Sequence, residues 1–196
     1  MKLIRCFVLS LMLTPAFVAS QDFDAGLRAY NSGDYAAALR EWRPLAEQGF
    51  TGAQNNLGTI YEHGLGVAQD YAEAVRWYRA AAKHGFASAQ NNLAFMYQHG
   101  RGVTQDYAEA VRWFRAAAEQ GYASAQNNLG FMYQHGLSVA QDYVTARMWL
   151  YIAAANGSEA ARESINTEVE GHTAEAIIEA QRRARVCMAS DYQDCD

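Results

Sequence analysis

The chain has 196 residues; 51% are apolar, 12% aromatic and 19% charged, and the formal net charge is -5. Low charge with high hydrophobicity excludes disorder, three cysteines are too few for a disulfide-dense scaffold, and the acidic balance lacks the basic footprint of a nucleic-acid binder. The length allows one or two domains with a real core.

Residues 1–20 carry Lys2 and Arg5, an apolar run over 6–13, and small Val18 and Ser20 near their end. This is the pattern of a secretory signal peptide with cleavage after Ser20. A short membrane anchor is the alternative, disfavoured because the run is well short of the ~20 residues a spanning helix needs. The mature chain is expected to begin at Gln21, exported to the periplasm or secreted, without stable membrane insertion. It would keep 14 bases against 21 acids, a net charge of -7.

The remainder is dominated by a repeat. Ala-Gln-Asn-Asn-Leu begins at Ala53, Ala89 and Ala125, 36 residues apart each time, and Tyr71, Tyr107 and Tyr143 share that step, as do Trp77, Trp113 and Trp149. Segments 53–88 and 89–124 agree at 26 of 36 positions, so the chain is a repeat array rather than one irregular domain. In chain order, residues 23–30 and those after Tyr35 form a first helix pair. Pro44 lies inside its second helix, where a kink is expected from the missing ladder hydrogen bond.

The middle repeat predicts a first helix over 89–99, capped by Ser88 and ended by Gly100. A second follows over 107–120, capped by Asp106 and ended by Gly121. Neither helix can bury both faces within one pair, so the units must stack. Residues 158–167 resemble a degraded first helix. The Gly171-His172-Thr173 stretch breaks the chain before a last helix over 174–188, with Thr173 as its cap. Cys187 and Cys195 follow; an even count in an exported chain favours a disulfide between them over two free thiols. The organisation expected is a signal peptide over 1–20, an array over 21–171, and a capping helix and tail over 172–196.

The run from Ala53 to Gly85 resembles the Sel1-like repeat, a relative of the tetratricopeptide repeat: Ala-Gln-Asn-Asn-Leu-Gly, then Tyr61, Gly64, Gly66-Val67, Asp70-Tyr71, Ala74, Trp77-Tyr78, Ala81-Ala82 and Gly85. Three near-complete copies are present. The resemblance implies an all-α fold, an α/α superhelical solenoid of helix–turn–helix repeats, and a role in binding other proteins. Two departures stand out. A loop position often held by proline is Ala68, Thr104 and Ala140, and the second loop glycine is Ser138 in the third copy, which predicts a less regular loop there.

Catalytic signatures are missing. Lys83, the one lysine after residue 20, has no serine three residues before it, so the Ser-x-x-Lys arrangement is absent. No Gly-x-Ser-x-Gly, His-Glu-x-x-His or phosphate loop occurs. His63, His99 and His135 also repeat at 36. Equivalent residues of stacked units lie about 10 Å apart, whereas a metal needs ligands about 2 Å from one centre. These are therefore read as helix-end or groove-lining side chains. No enzyme, cofactor or metal is expected.

The resemblance places the first helix of each unit on the concave side. Its conserved-type asparagine, which in tetratricopeptide relatives commonly holds a bound peptide backbone, aligns with Asn56, Asn92 and Asn128, flanked by Asn55, Asn91 and Asn127. Ile60, Met96 and Met132 should be packed; Phe95, Phe131, Gln98 and Gln134 extend the stripe. An amide offers both donor and acceptor to a peptide backbone, and the phenyl rings can serve as anchors. A structural role between units is the equal alternative for Asn56, Asn92 and Asn128. The sequence thus points to a monomeric scaffold or adaptor that binds an extended peptide of a protein partner. Regulation of an envelope signalling system and, further off, a β-lactamase-like or cell-wall hydrolase are the alternatives.

Overall fold

The computed structural model describes residues 15–167 and 173–195. Among them are ten α-helices and no strand: α1 Pro15–Asn31, α2 Tyr35–Glu47, α3 Thr51–His63, α4 Tyr71–Lys83, α5 Ala87–His99, α6 Tyr107–Ala118, α7 Ala123–His135, α8 Tyr143–Ala155, α9 Glu159–Thr167 and α10 Ala174–Ala189. Each helix packs on the next through α9, and α10 returns onto α8. The molecule is an all-α solenoid of stacked helix pairs. The start of the signal-peptide pattern, residues 1–14, and the break at Gly171-His172 lie outside the described residues.

Why the pairs stack follows from residue size. Ala53, Ala89 and Ala125 on the first helices, and Ala81, Ala117 and Ala118 on the second, are fully buried. With no side chain beyond Cβ, they let neighbouring helices approach closely. Leu57, Leu93 and Leu129, with Ile60, Met96 and Met132, fill the remaining space and are likewise fully buried. Trp77 and Trp149 are nearly so, and Tyr78 and Phe114 plug the contact between a second helix and its partner. The core is continuous from α4 to α10, with a second cluster joining α2, α3 and α4.

The recurring Gln-Asp-Tyr is a loop-closing device. Asp70, Asp106 and Asp142 cap α4, α6 and α8 by accepting from backbone amides of the first turn. Their own amides donate to the carbonyls of Tyr61, Tyr97 and Tyr133. The preceding Gln69, Gln105 and Gln141 donate through Nε2 to the carbonyls of Glu62, Gln98 and Gln134. Two residues thus satisfy orphan groups at the end of one helix and the start of the next.

The first helices begin two residues earlier than their serine and alanine pattern suggests. Phe50, Phe86 and Tyr122 hold the N-cap positions, without a side-chain cap bond. Ser88 lies inside α5. The preceding Gly85, at φ +81°, turns the chain, and the Phe86 amide bonds back to the Ala81 carbonyl. Helix-to-helix turning, not side-chain capping, sets this boundary. Helix α2 runs through Pro44, whose carbonyl accepts from the amide and the side chain of Gln48. Helix α1 crosses the expected cleavage point after Ser20. Phe23, Leu27 and Tyr30, beyond that point, pack against the cluster that contains Leu39 and Trp42 of α2.

The loop of the third unit keeps the shape of the others. Gly66 and Gly102 have φ of +69° and +67°, and Ser138 adopts +60°. The expected irregularity is absent because the chain accepts a left-handed serine, which costs about 1–2 kcal/mol relative to glycine. Ser138→Gly should therefore raise stability by about 1 kcal/mol, read as a higher urea midpoint at unchanged slope. No change would mean that the Ser138 side chain compensates for its backbone.

Candidate functional site

The repeated asparagines form a seam between units. Asn92 Nδ2 donates to Asn55 Oδ1 at 3.1 Å, and Asn128 Nδ2 donates to Asn91 Oδ1 at 3.0 Å. Asn91 and Asn92 are themselves linked at 3.4 Å. Each unit therefore needs two adjacent asparagines, one to donate back and one to accept from the unit after. Asn56, half-buried, makes no hydrogen bond with the described residues, and Asn127 Oδ1 ends the row buried and unpaired.

A second row lies deeper and has no counterpart in the sequence reading. Gln54, Gln90 and Gln126 are buried, and each donates to a carbonyl at the end of the preceding second helix: Ala46, Ala82 and Ala118. Gln90 Oε1 accepts from Gln120 and Gln126 Oε1 from Asn156, at 2.7 and 2.9 Å. His84 holds the corresponding place in the first copy, and there Gln54 Oε1 is buried without a partner. A third row, Arg43 to Tyr61, Arg79 to Tyr97 and Arg115 to Tyr133, ties each second helix to the next first helix. The signal for it was present as an Arg–Tyr spacing of 18 residues recurring every 36.

The outward face of the first helices is aromatic and amide-rich. Phe131 is 41% exposed and Phe95 half-buried. His99 stacks on Phe95 at 4.1 Å between ring centroids, and His135 on Phe131 at 4.0 Å. The Nδ1 atoms of His63, His99 and His135 face the carbonyls of Thr59, Phe95 and Phe131. A carbonyl only accepts, so Nδ1 carries the proton and Nε2 is left to solvent. The side-chain amides of Gln98 and Gln134 are half-buried and make no hydrogen bond with the described residues.

One junction carries charge. The Tyr78 hydroxyl donates to Glu62 Oε2 at 2.6 Å and lies 3.2 Å from Thr59 Oγ1. Burial, reinforced by the Glu62 carboxylate, pushes the Tyr78 hydroxyl far above the ordinary tyrosine range, so it remains a donor. Arg101, in the loop after α5, reaches Glu62 Oε1 at 4.0 Å and lies over the rings of Phe95 and Tyr71, at 5.1 and 5.7 Å.

At the far end Cys187 and Cys195 are joined by a disulfide, their Cα atoms 4.5 Å apart. The tail it closes brings the Tyr192 hydroxyl to Asn156 Nδ2 at 2.8 Å. Among the described residues no three His, Cys, Asp or Glu side chains converge as a metal site, and no helix is long and apolar enough to cross a membrane.

Stacked helix pairs with side-chain seams between units and an open aromatic face define an α-helical repeat scaffold, a fold without a catalytic framework. The Sel1 repeat family matches at residues 51–86, 87–122 and 123–158, and the chain belongs to that family, whose members generally act in protein–protein interactions. It is similar to c5321, described as a protective antigen present in uropathogenic Escherichia coli strains and displaying this fold. The identity is 39% and the TM-score 0.70, over 86% of this chain but 38% of that one. It is also similar to a Sel1 repeat protein from Oxalobacter formigenes, with 39% identity and a TM-score of 0.59, over 65% of this chain and 96% of that one. No curated protein matches.

Proposed function

We propose that the protein is an exported scaffold or adaptor that holds an extended segment of a protein partner against the first-helix face. The observation that carries this reading is the row of aromatic and amide side chains left open there: exposed Phe131 and half-buried Phe95, with the unused amides of Asn56, Gln98 and Gln134 beside them. A peptide brings both backbone donors and acceptors and apolar side chains, and these groups answer both needs. The seam asparagines Asn55, Asn91, Asn92 and Asn128 position this face and keep their remaining hydrogen-bonding capacity for it. Export rests on the charged and apolar start of the sequence, Lys2 and Arg5 followed by the apolar run over 6–13. It agrees with the description of the similar c5321 protein as a protective antigen.

The test uses the protein produced with its own N-terminus in a bacterial envelope, with a photo-crosslinking residue at Gln98 or Gln134 and, as a control, at Arg76 or Arg112 on the second helices. Crosslinks to a partner from the first two sites, on a chain recovered from the envelope or medium with Gln21 at its N-terminus, are expected. Combined Phe95→Ala, Gln98→Ala, Phe131→Ala and Gln134→Ala should reduce capture at least tenfold while keeping the melting temperature within a few degrees. Crosslinks confined to the second helices would overturn the assignment of the face.

A further inference from the structure

The first-helix face differs from unit to unit, and the differences fall in matched positions. Where the first copy has Glu62, the next two have Gln98 and Gln134; where the second has Arg101, the flanking copies have Leu65 and Leu137. Glu62 and Arg101 meet across the junction of these two units. Glu62 is the single Asp, Glu, Lys or Arg on α3, α5 and α7. Residues 51–158 hold seven Asp and Glu against seven Lys and Arg, so the acidity of the chain resides at its ends, and this face carries one carboxylate with one arginine beside it.

The two charges are not equally available. The Glu62 side chain is only 13% exposed and already accepts from Tyr78. The Arg101 side chain is 42% exposed, touches Glu62 only at 4.0 Å, and its guanidinium makes no hydrogen bond with the described residues. Five N–H donors are thus held between the Tyr71 and Phe95 rings with none committed. A guanidinium oriented in this way matches a carboxylate in a two-point contact, which a lysine would not. One unit further along, the equivalent place is apolar, with Phe131 exposed and Leu137 where Arg101 would be.

We infer that the partner segment carries a single acidic residue that pairs with Arg101 and a large apolar residue that packs on Phe131 and Leu137. This rests on the first-helix reading of the function. Adjacent packed helices lie about 10 Å apart, and extended chain advances about 3.3 Å per residue, so the two residues of the partner are separated by about three positions. Arg101 is the single Lys or Arg on α3, α5, α7 and the loops that follow them, so a run of acids would find one partner only; one carboxylate amid neutral residues is the fit.

The experiment pans a random-peptide phage library on the chain from Gln21 onward and measures the enriched sequences as synthetic peptides. Expected are peptides with one Asp or Glu about three positions from a Leu, Ile, Phe or Trp, bound more weakly at high salt. Arg101→Leu installs the residue that the third unit already carries at Leu137, so the fold is kept, and affinity should fall at least tenfold. Arg101→Glu should reject the acidic peptides and regain binding when their acid is changed to lysine. Peptides that are lost on Phe131→Ala yet show no acidic preference, or bind Arg101→Leu equally, would overturn this inference and leave the scaffold reading standing. Enrichment of no peptide dependent on Phe95 or Phe131 would overturn both.

Discussion

Gly102→Ala is expected to lower stability by about 3–5 kcal/mol, a loss at the upper end for single substitutions. Gly102 has φ +67°, and a Cβ there would lie 2.3 Å from the Tyr71 carbonyl oxygen, 2.4 Å from its carbon and 2.7 Å from the Ala72 nitrogen. All three are backbone atoms at the start of α4, which the Asp70 cap and the packed Tyr78 hold in place. No rotamer change relieves the overlap, so the loop of the second unit must part from the first unit. Gly85→Ala is the control: φ is +81° and nothing lies within 4 Å of the added atom. It should lose only the left-handed penalty of about 1–2 kcal/mol. Urea titrations of the two variants separate close approach from backbone conformation. Equal midpoints would show that the loop yields freely and that the contact between units carries little of the stability.

What could be read from the sequence, and what could not, divides along the repeat. Positions that recur every 36 residues announced their roles, because a slot used in every unit must serve the stacking: Asp106 as cap, Gly100 in the left-handed position ending α5, Met96 and Met132 in the core. The asparagines show the boundary of that logic. Recurrence alone does not distinguish an amide facing a ligand from one facing the next unit. The deciding fact is a bond between residues 37 apart, one more than the repeat, and it depends on the offset between helices. Gln90 and Gln126 were legible as repeated but not as buried, since glutamine is ordinarily a surface residue. The helix starts at Ala87 and Ala123 were missed because a glycine-led turn replaced the usual capping side chain. Arg101 carried the opposite signal. It breaks the repeat, and so does Glu62 in the unit before, and the paired departure marks a contact across the junction. Its position between Tyr71 and Phe95 draws on a loop and two helices, which only the assembled fold brings together.

Removing the segment from Thr173 onward should cost more than any substitution within the array, because the solenoid has an open end there. Ala184 and Cys187 of α10 are buried against the core that contains Met148, Trp149 and Ile152, each nearly or fully inaccessible in the intact chain. Exposing three side chains of this size forfeits about 1.5–3 kcal/mol apiece. The expected result is loss of α7–α9 structure, seen as a fall in helical circular dichroism and a red shift of Trp149 emission. Repeat arrays are stabilised chiefly by neighbour contacts, so α2–α5 should persist and melt in a separate, later transition. Cys187→Ser with Cys195→Ser gives the scale for the disulfide alone. A bridge spanning eight positions contributes about 2–3 kcal/mol by loop closure, so that variant should retain one transition at a lower midpoint. Were the truncated chain to melt in a single transition at the midpoint of the intact chain, the end of the array would need no cap. The packing of α10 on α8 would then have to serve something other than stability.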